Sequence, residues 1–162
     1  MIRLVYNSEK KKILKQLNEQ YGITELPFTL IRTGKQKIRG YSGDLTNEEI
    51  CLLNETAKIE NIGLYLFSDH YEQGLRLSVD ALHIFKDQII KANKNILSLN
   101  DKQLKEWFRG EDLLLKDEWK ELPRTFKTIM YKGEFVGSAK LTDSKLINYL
   151  PKERRVKDPN VN

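Results

Sequence analysis

The chain has 162 residues, 28 of them Lys or Arg and 23 Asp or Glu, which gives a net charge of +5. This length allows one ordinary domain or two small ones. An apolar fraction of 40% predicts a packed core, so an intrinsically disordered chain is excluded. The basic excess is modest: it is compatible with a polyanionic partner but does not require one.

Neither a membrane segment nor a secretion signal is predicted. No apolar run approaches the ~20 residues that a membrane helix needs, and residues 1–8 lack the apolar core of a signal peptide. We therefore expect a cytoplasmic protein without a membrane partner. Cys51 is the single cysteine, which excludes a disulfide framework. His70 and His83 are isolated, so no metal site is predicted.

The first half alternates helices and hairpins. Ser8 is expected to cap a helix that runs to Tyr21 and stops at Gly22. Thr46 and Glu49 form a capping-box signature that opens a second helix. Strands are predicted at residues 2–6, 28–32, 36–41, 62–67 and 75–79. This order predicts a small α+β domain over residues 1–93.

Two features of this half resemble chemical sites without meeting their requirements. The segment GKQKIRG, with Arg32 just before it, crowds a hairpin with basic side chains, but the Gly-Lys-Ser/Thr ending of a phosphate loop is missing. Cys51 falls among apolar helix positions, so we expect a buried or half-buried thiol without a reactive role.

The second half, residues 94–162, reads as a small closed β-structure with one helix. Asn100 and Gln103 form another capping box, and Trp107 lies on the apolar face of the helix that ends at Gly110. A polar loop that carries Trp119 follows. Strands are predicted at residues 96–99, 113–115, 125–131, 134–141 and 145–150.

The positive charge is concentrated in this second half. Residues 1–93 carry 13 basic and 12 acidic side chains, whereas residues 94–162 carry 15 and 11. The chain leaves the last predicted strand through Lys152, Arg154, Arg155 and Lys157, which we call the basic exit. On charge alone, a run of this kind is more often a solvated surface than a nucleic-acid contact.

Two segments resemble a known family. NDKQLKEWFRGEDLLL (residues 100–115) and GEFVGSAKLTDSKLINYLPKERRV (residues 133–156) resemble the PUA domain, an RNA-binding module. The variant is similar to the C-terminal region of archaeal Sun-type RNA cytosine-5-methyltransferases. The resemblance covers about residues 94–157, and the preceding segment GLYLFSDHYEQGLRLSVDA (residues 63–81) is similar to the unit that precedes the module there.

This resemblance implies a PUA-like β-pseudobarrel and an RNA surface formed by the short helix, the glycine loop after it and the last strand. Gly110 would let the RNA approach the backbone, and the guanidinium groups of Arg109 and Arg155 would pair with phosphate or stack on a base. The implied RNA-binding residues are Lys105, Arg109, Gly110, Lys145, Asn148, Lys152, Arg154 and Arg155.

Catalysis is not expected from this chain. Sun-type methyltransferases use two cysteines and a glycine-rich loop for S-adenosylmethionine, and this sequence has one cysteine and no such loop. No catalytic residue and no cofactor is therefore predicted. Three functions remain open: a protein that binds structured tRNA or rRNA rather than DNA, an adaptor for an RNA-modifying enzyme or ribosome-assembly factor, and a small enzyme whose motifs are not evident.

Overall fold

A computed structural model describes residues 2–157; Met1 and residues 158–162, the end of the predicted second unit, lie outside the described residues. Within these residues the strands form two five-stranded sheets, and the helices pack with them. The helices are α1 (Asn7–Tyr21), α2 (Asn47–Ala57), α3 (Val79–Ile84), α4 (Lys86–Ala92) and α5 (Asp101–Phe108). The strands are β1 (Ile2–Leu4), β2 (Thr29–Thr33), β3 (Lys37–Tyr41), β4 (Leu64–Asp69), β5 (Leu75–Leu77), β6 (Ile96–Ser98), β7 (Leu113–Leu114), β8 (Phe126–Tyr131), β9 (Glu134–Leu141) and β10 (Lys145–Asn148).

The first sheet is antiparallel, in the order β1-β2-β3-β4-β5, and both of its faces are covered. Leu30 faces the core that α1, α3 and α4 complete, whereas its neighbour Ile31 packs with Ile50 of α2. This alternation follows from the two-residue period of a strand. The predicted capping box of Thr46 and Glu49 is present at the start of α2.

The second sheet has the order β6-β8-β9-β10-β7 and is curled into a half-barrel. Strand β6 pairs with β8 in parallel, and the other pairs are antiparallel. Helix α5 begins at the predicted capping box of Asn100 and Gln103. The α+β class, with a PUA-like pseudobarrel and a short helix, is thus confirmed.

The two halves of the chain share contacts across their junction. Phe135 of β9 belongs to the core of the first sheet. The Ser138 hydroxyl donates to the Leu77 carbonyl (2.6 Å), and the Asn95 amide donates to the Gln20 carbonyl (2.7 Å). Each sheet lies on one side of residue 94 in the chain, yet the junction between them is packed like a protein interior.

Two local expectations were wrong. Helix α1 begins two residues earlier than predicted, with Tyr6 at its N-cap and no capping side chain, so Ser8 is not the cap. Cys51 is exposed because α2 turns Ile50, the residue before it, towards the sheet. In the predicted polar loop, Asp117, Glu118 and Lys120 are exposed, and Trp119 among them is buried at 3% exposure. Within residues 2–157, no helix combines the length and the apolar character needed to cross a membrane.

Lys127 of β8 is an ionisable group in the protein interior. Its side chain is 2% exposed, and its ammonium donates to Asn95 Oδ1 at 2.6 Å. Burial, together with the charge of Arg124, lowers the pKa of Lys127 to about 8. Because Asn95 in turn bonds to the first half of the chain, this lysine supports the junction while carrying a desolvated charge.

This burial predicts that the protein becomes more stable as the pH rises above 8. Between the folded pKa of about 8 and the unfolded value, the unfolded state binds more protons, so deprotonation favours folding. From pH 7.5 to 9.5 we expect the free energy of unfolding to gain about 2 kcal/mol relative to Lys127→Met. Urea denaturation of both proteins at the two pH values measures this; parallel pH profiles would contradict it.

Trp107 of α5 is one of two tryptophans in the core of the second sheet. It is fully buried, and its indole Nε1 donates to the Val136 carbonyl at 3.0 Å. Gly137 makes room for the ring, since a Cβ there would lie 2.8 Å from Trp107 Cζ2. The helix is therefore held against β9 by one indole group.

Trp107→Ala should reduce the free energy of unfolding by roughly 3–5 kcal/mol, because it leaves a cavity and an unpaired carbonyl. Trp107→Phe, which retains most of the ring volume, should lose less. Urea denaturation measures both. A loss below about 0.5 kcal/mol for the alanine variant, the level of a surface substitution, would contradict this role.

Candidate nucleic-acid interface

The end of α5 and the basic exit meet, although about 45 residues separate them in the chain. The backbone N–H of Val156 donates to the Phe108 carbonyl at 2.8 Å. Arg155 packs on Gly110, where an added Cβ would lie 2.5 Å from Arg155 Nε. Gly110 has a φ of 82°, which glycine adopts at low cost. The predicted helix end and exit are therefore one surface.

The predicted reason for Gly110 needs correction. The space that its missing side chain leaves is filled by Arg155 of the same chain, so it is not open to RNA in this structure. Arg155 Nε also donates to the Leu150 carbonyl at 3.0 Å. Gly110 therefore acts by letting the exit pack closely on the helix end, and Arg155 is partly committed to that packing.

Asn148 also differs from its predicted role. It is 7% exposed, and its amide nitrogen donates to the carbonyls of Trp107 (2.8 Å) and Glu111 (3.1 Å). Its Oδ1 accepts from the backbone N–H of Leu150 at 2.7 Å. Both amide hydrogens and the amide oxygen are thus used internally, so Asn148 connects the helix end to the exit and offers no free group to a ligand.

Lys145 lies beside this connection and pairs with Asp112 at 2.6 Å. Burial raises the pKa of Asp112, but the hydrogen bonds from the Lys145 ammonium and the Asn148 backbone N–H outweigh it, and the pKa is lowered. Asp112 therefore remains an anion and orients Lys145, whose side chain is still 47% exposed.

The remaining predicted residues lie at the surface. Arg109 is 3.7 Å from Glu111, and Arg154 is 3.0 Å from Asp80 of the first half. Lys105 and Lys152 are exposed, and no carboxylate of residues 2–157 lies within 4.0 Å of either ammonium group. The surface formed by Lys105, Arg109, Lys145, Lys152, Arg154 and Arg155 is therefore cationic and partly paired with acids.

The two arginines of the basic hairpin in the first half are engaged within the protein. Arg32 forms ion pairs with Glu9 (2.8 Å) and Asp69 (3.0 Å). Arg39 donates to the backbone carbonyls of residues 62 and 63. These guanidinium groups hold helix and strands together, so this hairpin presents less free charge than the sequence indicates.

Sequence reasoning missed a second group at the junction, two half-buried cations and one half-buried aromatic ring: Arg76, Lys140 and Tyr149. Arg76 stands between Leu75 and Leu77, which are both buried, so the alternation of β5 does indicate an outward side chain. Nothing local indicates that it meets Tyr149 of the second half.

A curled five-stranded sheet, with a short helix and a glycine packed against the exit from its last strand, has the architecture of a PUA domain, a class of RNA-binding module. Residues 94–156 match the family model described as the methyltransferase RsmF PUA domain. This segment, less than half of the chain, is thus similar to the PUA domain of these RNA methyltransferases. A comparison with curated proteins gave no match.

Asn148→Ala should reduce the free energy of unfolding by about 3 kcal/mol, because it leaves two carbonyls and one N–H without their partner. Urea denaturation measures the loss. Asn18→Ala, at an exposed position of α1, is the matched control and should change stability little. Equal effects of the two substitutions would show that the Asn148 amide does not hold the exit in place.

Proposed function

We propose that this chain is a non-catalytic RNA-binding protein that binds structured tRNA or rRNA in RNA modification or ribosome biogenesis. The observation that carries the proposal is the packing of Arg155 on Gly110, which joins the end of α5 and the basic exit into one cationic surface. The match of residues 94–156 to a PUA domain supports the same surface as the RNA contact.

A non-catalytic role is supported by the position of the single cysteine. Cytosine-5 methylation requires a cysteine nucleophile beside the bound base. Cys51 instead lies on the exposed side of α2, a helix of the first sheet, between Ile50 and Leu52. The residues of the cationic surface would thus bind and orient the RNA, and another protein would supply the catalytic residues.

Binding of total tRNA and of an rRNA fragment, measured by fluorescence anisotropy between about 50 and 200 mM salt, tests the proposal. Lys152→Gln/Arg154→Gln should weaken binding and reduce the salt slope by about 2, one for each lost phosphate contact. Arg155 is left unchanged in this variant because it also packs on Gly110.

Lys11→Gln/Lys12→Gln is the matched control, with the same loss of charge at exposed positions of α1. It should retain the wild-type affinity and slope. Equal losses in the two variants would assign the affinity to net charge rather than to the exit. Wild-type binding no tighter than a non-specific ~10⁻⁴ M would refute RNA binding as the function.

A second candidate, an adaptor for an RNA-modifying enzyme or a ribosome-assembly factor, is favoured by α2. Leu52 and Leu53 of this helix are 60% and 41% exposed, and exposed apolar side chains are typical of protein contacts. Under this function, Leu52→Gln/Leu53→Gln would abolish capture of such a protein from an extract while RNA binding is unchanged.

A further inference from the structure

A cleft of about 150 Å³ lies at the junction between the two sheets, beside the basic exit. Both halves of the chain contribute to its walls. The volume is below the range of sites for drug-sized ligands, so the cleft suits one small group. Its lining includes Tyr65, Arg76, Ser78, Ser138, Tyr149 and Arg154.

Arg76 is the cation that both halves of the chain position in this cleft. Its guanidinium carbon lies 4.3 Å from the ring centroid of Tyr149. Its Nε donates to Ser68 Oγ at 3.3 Å, which fixes the orientation of the guanidinium plane. Within residues 2–157, the two terminal nitrogens make no hydrogen bond, and no carboxylate lies within 4.0 Å of them. Arg76 therefore presents two uncommitted donors, in the geometry that binds phosphate.

A second cation reinforces the charge of Arg76. The Lys140 ammonium donates to Gln73 Oε1 at 2.5 Å, and among residues 2–157 it has no carboxylate within 4.0 Å. Burial lowers the pKa of His70, and the charges of Arg76 and Lys140 add to that effect while Asp69 opposes it. Arg76 and Lys140 therefore both lie near the His70 ring and act on it in the same direction.

The acidic groups of the cleft do not cancel this potential. Asp80 is paired with Arg154 at 3.0 Å, and Glu153 is an exposed residue of the exit. Arg154 lines the cleft and also belongs to the basic exit, so the two cationic surfaces are continuous.

We propose that this junction cleft binds one unpaired nucleotide of the RNA, with its base stacked on the Arg76 guanidinium and its phosphate neutralised by Arg76 and Lys140. This assignment rests on the proposed function and extends it, since the first half of the chain then contacts the RNA directly. Proteins read unpaired bases by stacking them on aromatic or guanidinium planes, and the Tyr149–Arg76 pair supplies such a plane. Tyr149 is a positioning residue that holds the guanidinium plane.

The test uses the full chain and total tRNA in the anisotropy assay. Arg76→Gln should weaken binding at least about fivefold and reduce the salt slope by about 1. Lys140→Gln should reduce the slope by a similar amount. Tyr149→Phe keeps the ring and should bind like the wild type, whereas Tyr149→Ala should weaken binding. Lys11→Gln, an exposed position of α1, is the matched charge control.

Cross-linking of the wild-type protein provides a readout that does not depend on a variant's stability. Transfer RNA that contains 4-thiouridine should, under near-ultraviolet light, cross-link to the tryptic peptide 59–76, which carries Tyr65 and Arg76. RNA bound by the basic exit alone would cross-link to the second half of the chain or near Asp80, which Arg154 contacts, and not to peptide 59–76.

The outcomes separate the two proposals. Wild-type affinity and slope in Arg76→Gln and Lys140→Gln, with no cross-link on peptide 59–76, would overturn the cleft assignment. The proposed function would stand in that case if Lys152→Gln/Arg154→Gln still lost affinity. Absence of binding by the wild type to both total tRNA and the rRNA fragment would overturn both.

Discussion

The side-chain amide of Asn148 is the constraint on which the candidate interface depends. Its three hydrogen bonds connect the end of α5, the segment after Gly110 and the chain that leaves β10. A buried amide that bonds to three backbone groups fixes their relative positions, because each bond lost would leave an unpaired group in the interior. The close packing of Arg155 on Gly110 and the ion pair of Lys145 are built on this connection. The backbone that carries the cationic surface is therefore held in place by buried hydrogen bonds.

Half of the six cations of this surface are paired with carboxylates of the same chain, which RNA phosphates would have to replace. Arg109, Lys145 and Arg154 each have a carboxylate within 4.0 Å. Ion pairs at such exposure contribute only about 0–1 kcal/mol, so a phosphate can replace the carboxylate at small cost. The acids meanwhile hold the cations in place and weaken long-range attraction to unrelated polyanions. The net charge of +5 therefore underestimates the positive charge that this surface offers to an RNA whose phosphates replace the carboxylates. It overestimates the long-range attraction to unrelated polyanions.

Local signals predicted local structure well, and pairings between distant residues were beyond them. The capping boxes at Thr46 and Asn100 lie within four residues of chain, and both are present as predicted. Asn148 was misassigned although a signal existed: in an alternating strand it shares a face with the buried Leu146. The contacts of Gly110 with Arg155 and of Arg76 with Tyr149 join residues 45 and 73 positions apart, and no local pattern encodes either one.

The contribution of Phe135 to the first core has a consequence for how such a module is inherited. A family boundary at residue 94 marks where sequence similarity begins, but β9 extends a side chain across that boundary into the packing of the first sheet. If only the gene segment for residues 94–162 were transferred, the Phe135 ring would be exposed to solvent. The Ser138 hydroxyl would also lose its hydrogen bond to the Leu77 carbonyl. Recombination is therefore expected to move the two units together, so that the heritable block is larger than the segment that sequence comparison recognises.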